Sequence, residues 1–274
     1  LGKSRLRRSL FGICVGASQW RHCGFVRTWR IAMTPDAVST QLLLDGALVT
    51  CVGAPLVGFA LVALIGLFHR SSSSAPESVE SSVALISRLA AGAQLAASLG
   101  VLFVMWDRSF HPAHNFFLPG IPLFVDWPAV VYILMTGFTG WIVVSYSERY
   151  MHRETGFIRF FLCLLLFLFG MALIVLGGAL DTLFAGWEIV GVASFLLVGF
   201  YLDRTKASRN AVRTFMTYRL CDIGLLVGAI LTHVIYHSGM FEVIEGERVA
   251  SLQTHGASPS MVLALSVLIF LAAS

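Results

Sequence analysis

Six stretches of this sequence are apolar for roughly the 20 residues that an α-helix needs to cross a bilayer. They run at 42–68, 83–106, 129–146, 157–176, 178–200 and 214–236. Together with a composition of 57% hydrophobic and only 12% charged residues, they exclude an ordinary soluble domain, in which about a quarter of the residues are charged. The runs lack the alternation of a transmembrane barrel, so their backbone groups must be satisfied inside helices. The expected fold class is all-α: a polytopic transmembrane helix bundle with six full spans plus the start of a seventh, which begins at Ser260 and reaches Ser274.

Residues 1–41 differ from the rest. They hold Lys3, Arg5, Arg7, Arg8, Arg21, Arg27 and Arg30, with no acid before Asp36. A basic, Ser-containing, acid-free segment has the composition of an organellar import signal; it also has that of a basic arm lying on lipid head groups. The sequence starts at Leu1 rather than Met, which points to residues upstream. Residues 42–274 are read as the N-terminal portion of a membrane domain.

The connections between spans give an orientation. Residues 71–82, SSSSAPESVESS, read as a flexible polar loop. Pro112, Pro119, Pro122 and Pro128 mark residues 107–127 as a structured non-helical loop, with a hairpin as one form. Residues 147–156 read as a short charged turn, and Gly177-Gly178 as a break that sets an antiparallel pair. Residues 202–213 read as a basic loop or interfacial helix. The loops at 69–82, 148–159 and 202–213 carry Arg70, Arg149, Arg153, Arg159, Arg204, Lys206, Arg209 and Arg213. The alternate loops carry only Arg108 and Arg248. The positive-inside rule therefore puts the first set in the matrix or cytoplasm, which leaves the basic tail on the wrong side.

A few ionisable groups lie inside the spans, where a charge facing lipid costs roughly 3 kcal/mol or more. Glu188 sits in GALDTLFAGWEIVGVASFLLVGF at 178–200, with Gly186, Gly191 and Ser194 around it. Small neighbours leave room for a helix or water beside the carboxylate, which suits it to reversible protonation. The bland alternative is a carboxylate locked in an interhelical ion pair. Arg219 and Asp222 lie three residues apart on the next span but one face. Arg219 either neutralises Asp222 or turns to Glu188; spacing alone leaves both open. His233 and His237 have the i, i+4 spacing of metal ligands, but no nearby acid or thiol completes a site on that face, so they read as interfacial residues and no metal is expected. The cysteines (14, 23, 51, 163 and 221) have no pairing or cluster spacing and read as small membrane-core residues. No phosphate loop, flavin, haem or nucleic-acid feature is present in the sequence.

Three segments carry a resemblance: YSERYMHRETGFIRFF at 146–161, GWEIVGVASFLLVGFY at 186–201 and AVRTFMTYRLCDIGLL at 211–226. From about Asp126 to Ser274 the chain resembles subunit 5, the distal antiporter-like subunit of respiratory NADH:ubiquinone oxidoreductase (complex I). The resemblance implies a proton path driven by redox chemistry elsewhere. It implies that Glu188, Arg219 and Asp222 line that path, with Glu188 pairing to a lysine on a broken seventh helix. It also implies that the 148–159 and 202–213 loops face the matrix. No Lys occurs after Lys206, so that lysine, the later helices and the family's lateral helix would have to come from elsewhere.

The resulting expectation is a membrane-arm subunit of complex I in the mitochondrial inner membrane, the N-terminal fragment of a split subunit. Its partners would be other membrane-arm subunits, a second fragment supplying the rest of helix seven, and lipids such as cardiolipin, with no nucleic acid. It would belong to a proton-translocating NADH:ubiquinone reductase without holding a redox centre; FMN, iron–sulfur clusters and ubiquinone would lie in other subunits. Two alternatives stand beside it: a subunit of a multisubunit cation/proton antiporter, and a structural membrane-arm subunit with no active proton path.

Overall fold

The computed structural model describes residues 35–69, 77–107, 114–118, 121–201, 203–236, 240 and 267. The chain divides into two compact units, Leu1–Gly46 and Ala47–Ser274. Six long helices and one hairpin are described: α1 (Pro35–Phe68), α2 (Glu77–Asp107), β1 (His114–Leu118), β2 (Ile121–Val125), α3 (Trp127–Tyr150), α4 (Phe157–Leu176), α5 (Leu180–Val198) and α6 (Thr205–Tyr236). All six helices are long and apolar enough to cross a membrane. The six expected spans are therefore present as helices. The expected seventh falls outside the described residues, apart from Val267, which is helical.

Local chemistry sets the ends of these helices. Asp126 caps α3: its carboxylate accepts the Ala129 N–H at 2.8 Å, and a proline occupies the first turn, where no N–H is needed. Gly156 precedes α4 at φ 97°, a left-handed conformation that a side chain would strain. Of two polar stretches, the one read as a flexible loop (71–82) is helical from residue 77, and the one read as a basic loop or interfacial helix is helical from residue 205. Residues 77–82 form the first turns of α2, where Glu77 and Glu80 sit at the positive end of the helix dipole. Residues 205–213 are the beginning of α6, which runs unbroken to Tyr236. In both, charged residues extend a span past the apolar zone, and at 77–82 they look like loop in isolation.

The hairpin expected from the prolines is present. β1 and β2 pair antiparallel, with Leu118 opposite Ile121. It is fastened to the α4–α5 elbow: the Gly178 N–H donates to the Pro122 carbonyl at 2.8 Å, and Leu123 bridges Gly177. Below the elbow, α4 and α5 approach closely. A Cβ on Gly170 would lie 2.8 Å from Val190, and one on Gly186 would lie 2.9 Å from the Gly170 carbonyl oxygen. Small residues at such a crossing let two backbones meet inside a membrane.

The core of the second unit lies where α2, α3 and α4 converge, around Val83, Ala91, Val144, Phe161, Leu165 and Leu168. Hydroxyls inside the spans are satisfied by the preceding turn, as in Ser87 to the Val83 carbonyl at 2.8 Å and Thr232 to the Gly228 carbonyl at 2.9 Å. Gln94 is the exception: its amide is fully buried, with no hydrogen-bond partner among the described residues. Outward the bundle is apolar, with Phe103, Trp106 and Leu220 all at least 72% exposed. In water such a surface would associate; in hydrocarbon it is the ordinary outside of a membrane protein.

Candidate functional site

The intramembrane charges meet on the seam between α5 and α6. Arg219, on α6, directs its guanidinium to the Glu188 carboxylate on α5, forming a close hydrogen-bonded ion pair. The same Nη1 lies 3.6 Å from Asp222 Oδ2, one helical turn further along α6. Asp222 in turn accepts the indole N–H of Trp187 at 2.8 Å. Arg219 therefore does not choose between the two acids that its spacing left open. It bridges both, and holds Glu188 more tightly.

The arrangement follows from helix geometry. Arg219 and Asp222 are i, i+3 on α6 and share a face. Glu188 and Trp187 are adjacent on α5, so they point about 100° apart and reach two different groups on α6. One cation thus serves two carboxylates, and with both ionised the cluster carries one excess negative charge. Asp222 is the buried member, at 8% exposure. The Glu188 side chain is 25% exposed and that of Arg219 33%. Both reach the outer edge of the seam, where a group from outside the described residues has access.

Two features keep that edge open. A Cβ placed on Gly191, one turn from Glu188, meets nothing within 4 Å. And α5 is the least covered span: only 11% of its apolar window is buried, against 22–44% for the others. Above the cluster, Arg219 lies over the Phe215 ring at 4.8 Å, and Phe215 packs on Phe195 of α5 with ring centres 4.9 Å apart. The two rings cover one side of the ion cluster.

A second polar group sits at the end of the bundle where α2 begins and α3 stops. Glu80, 6% exposed, accepts from the Arg153 N–H at 3.4 Å and lies 3.0 Å from His152 Nδ1. Arg88 pairs with Glu148 nearby. At the same end Arg159 donates to the Phe200 carbonyl at 2.7 Å. These contacts draw the 148–159 and 201–213 basic segments to one end of the second unit, opposite the hairpin. His233 lies 4.0 Å from Asp181, an acid its sequence neighbourhood did not offer, and His237 falls outside the described residues. Among the described residues no group of three or more His, Cys, Asp or Glu is placed to hold a metal ion, and Cys51, Cys163 and Cys221 are free.

Trp187, Phe195 and Phe215 are the participants that sequence reasoning did not pick out. Trp187 directly precedes Glu188, and a Trp inside a span needs an acceptor for its N–H. That was the available signal. The two phenylalanines gave none, since nothing separates them from the other rings of the apolar runs.

Comparison with known proteins adds to this geometry. Residues 178–274 match the family described as NADH:quinone oxidoreductase/Mrp antiporter, TM. A chloroplastic NAD(P)H-quinone oxidoreductase subunit 5 from Zygnema circumcarinatum is 29% identical over 228 residues, covering 79% of this chain and 32% of that protein. NADH-quinone oxidoreductase subunit L of Rickettsia typhi is 36% identical over 115 residues, covering 42% of this chain and 18% of that protein. The chain thus spans about a third or less of the length of the relatives it matches. A chain of the membrane-bound sulfane sulfur reductase, an archaeal respiratory membrane complex, shares the fold with a TM-score of 0.68 at 14% identity, covering 83% of this chain and 44% of its own. A chain of the Mrp complex from Dietzia sp. DQ12-45-1b aligns with a TM-score of 0.58 at 25% identity, over 82% of this chain and 23% of its own.

Proposed function

We propose that this chain, a homologue of NAD(P)H-quinone oxidoreductase subunit 5 and an antiporter-like, multi-pass membrane subunit, holds one end of a proton-translocation path. The path is coupled to NADH oxidation and quinone reduction in other subunits. One observation carries the proposal: the Arg219 guanidinium is shared between Glu188 on α5 and Asp222 on α6. A stable structural ion pair inside a membrane is most simply made with one acid and one base. Here a second acid leaves the cluster one charge out of balance, and in low dielectric that charge must be met by a proton or a further cation.

The mechanism follows from this imbalance. When a proton or a cation approaches Glu188 from the open side by Gly191, Arg219 is released toward Asp222. When it leaves, Arg219 returns. In this proposal a lysine on a further stretch of chain, as the resemblance implies, acts as that approaching cation. Motion of one guanidinium over a few ångströms thereby alternates the proton affinity of Glu188 without any redox group in the chain.

Glu188→Gln in the assembled complex tests the proposal. It should lower the number of protons moved per NADH oxidised while leaving assembly and NADH oxidation largely intact. An unchanged proton-to-electron ratio would remove Glu188 from the path.

The finer assignments belong to the same proposal. The basic, acid-free residues 1–35 support import into mitochondria and a place in the inner membrane. The partners would be other membrane-arm subunits, anionic lipids such as cardiolipin, and a further stretch of chain, continuous or separate, that supplies the lysine. FMN, iron–sulfur clusters and ubiquinone would be held by other subunits. A second reading, a subunit of a multisubunit cation/proton antiporter, is favoured by the alignment with the Mrp complex chain. Isolation of the native complex separates the two: copurification with NADH-oxidising subunits supports the first, and sodium-dependent proton exchange without them supports the second.

A further inference from the structure

The α5–α6 seam continues past the ion cluster toward the basic end of the bundle, and what lies there is not part of the cluster itself. A cavity of about 120 Å³ opens between the end of α5 and the beginning of α6, lined by Arg159, Phe195, Gly199, Ser208, Ala211 and Val212, among others. On α6 the lining residues Ser208 and Ala211 share a helical face with Phe215, Arg219 and Asp222. Ser208 and Arg219 are eleven residues apart, about 16 Å along the helix axis. Between cavity and cluster the seam is closed by the Phe195–Phe215 contact. Phe195 belongs to both: it lines the cavity and touches Phe215. Phe215 in turn lies under the Arg219 guanidinium.

We propose that Phe215, held between Arg219 and Phe195, is the moving half of an aromatic gate. The gate separates a basic-end vestibule from the Glu188–Arg219–Asp222 cluster. This inference rests on the proposed proton path and adds the point at which that path is shut.

The physical argument has three links. The vestibule is large enough for a few water-sized molecules, and in its mostly apolar wall Arg159 and Ser208 are the polar groups that entering water would meet at the basic end. The two rings are in contact and present no hydrogen-bonding atom to relay a proton; hydrophobic constrictions of this kind gate by dewetting. And Phe215 is attracted to the guanidinium above it. When Arg219 shifts from Glu188 toward Asp222 it changes its place over the ring, and the ring's hold on Phe195 changes with it. Charge state at Glu188 and closure of the gate are thus coupled through one side chain. A path that moves protons against a gradient needs such coupling, because an always-open route would let them return.

The test uses the assembled complex in sealed vesicles, with electron transfer first blocked and then running. Phe195→Ala and Phe215→Ala should each raise passive proton leak several-fold under an imposed gradient, while NADH oxidation stays near the parent rate. Phe215→Leu, which refills the volume without a ring, should restore the seal but lower the proton-to-electron ratio, because it no longer answers to Arg219. Adding Glu188→Gln to either alanine variant should bring the leak back down, since the leaking route runs through that carboxylate. Unchanged leak in both alanine variants overturns the gate. So does a leak that persists in full when Glu188 is also replaced, which would show general loosening of the bundle. If an alanine variant fails to assemble, Phe195→Trp decides: a larger ring should hold the gate shut and lower pumping per electron, and an unchanged ratio overturns the proposal. Glu188→Gln alone keeps the two ideas apart. If it leaves pumping unchanged, the proton path itself is wrong; if it lowers pumping while the ring variants do nothing, only the gate is.

Discussion

Trp187 is a small detail with a large leverage on the cluster. Its N–H donates to Asp222 from the neighbouring helix at 2.8 Å. Without it, Asp222 keeps Arg219 and Glu188 as described partners and should draw more heavily on the guanidinium. Trp187→Phe removes a hydrogen bond to a charged group, worth about 1.5–3 kcal/mol, and should shift Arg219 toward Asp222. The expected outcome is slower proton translocation with normal assembly, measured as proton-to-electron ratio beside complex abundance. Gln94 offers a prediction of opposite sign. Its amide is buried without a described partner, so Gln94→Leu should leave stability equal or higher by about 1 kcal/mol. A clear loss of thermal stability would mean that the amide serves a group outside the described residues, such as water.

At the scale of elements, the pairing of α4 with α5 is the tightest constraint on the site. Gly186→Leu would drive a branched side chain into the Gly170 carbonyl and the Ile174 backbone. Overpacking of that kind costs about 1–3 kcal/mol, and should lower the thermal midpoint of the complex in a native-gel heating series. A midpoint equal to the parent's would mean that α4 and α5 separate without cost. The same glycines show where sequence reading stops. Glu188, Arg219 and Asp222 were legible because a charge contrasts with the apolar run around it. A non-helical loop, with a hairpin as one form, was legible because Pro112, Pro119 and Pro122 disfavour a helix there. Gly186 and Gly191 were read together as room for a helix or water; Gly186 takes the helix, α4, and Gly191 leaves the open space. Which side of a helix a small residue serves depends on the neighbour's position, and no spacing rule states that. The start of α2 was misplaced, and that of α6 left open, for a related reason: polar residues at a membrane boundary look alike whether they continue a helix or end one.

Across the second unit, the charge pattern predicts an orientation that the packing makes testable. Arg149 lies at the basic end, and Phe124 in the hairpin at the other. Arg149→Cys and Phe124→Cys should react with a membrane-impermeant thiol reagent from opposite sides of a sealed vesicle, with the basic end on the matrix or cytoplasmic side. Labelling of both from one side would overturn the topology. The span count and the antiparallel succession of helices were readable from apolar length and loop composition alone. The exposed apolar exterior gave the membrane its place. What the sequence did not disclose was the contact of Arg219 with both acids, because pairing across a seam depends on the rotation of each helix about its own axis.

The glycine crossing has one more consequence. Backbone meets backbone along α4 and α5, and their elbow is tied to the hairpin by the Gly178–Pro122 hydrogen bond. The seam of α5 with α6, by contrast, is spanned by side chains: one guanidinium, one indole and a pair of rings. In the vocabulary of machines, α4, α5 and the hairpin are the stator. Glu188 is mounted on it, while Arg219 and Asp222 ride on a helix joined to it here by side chains. A few degrees of rotation in α6 would then re-deal the cation between the two acids, with no fold change and no backbone bond broken.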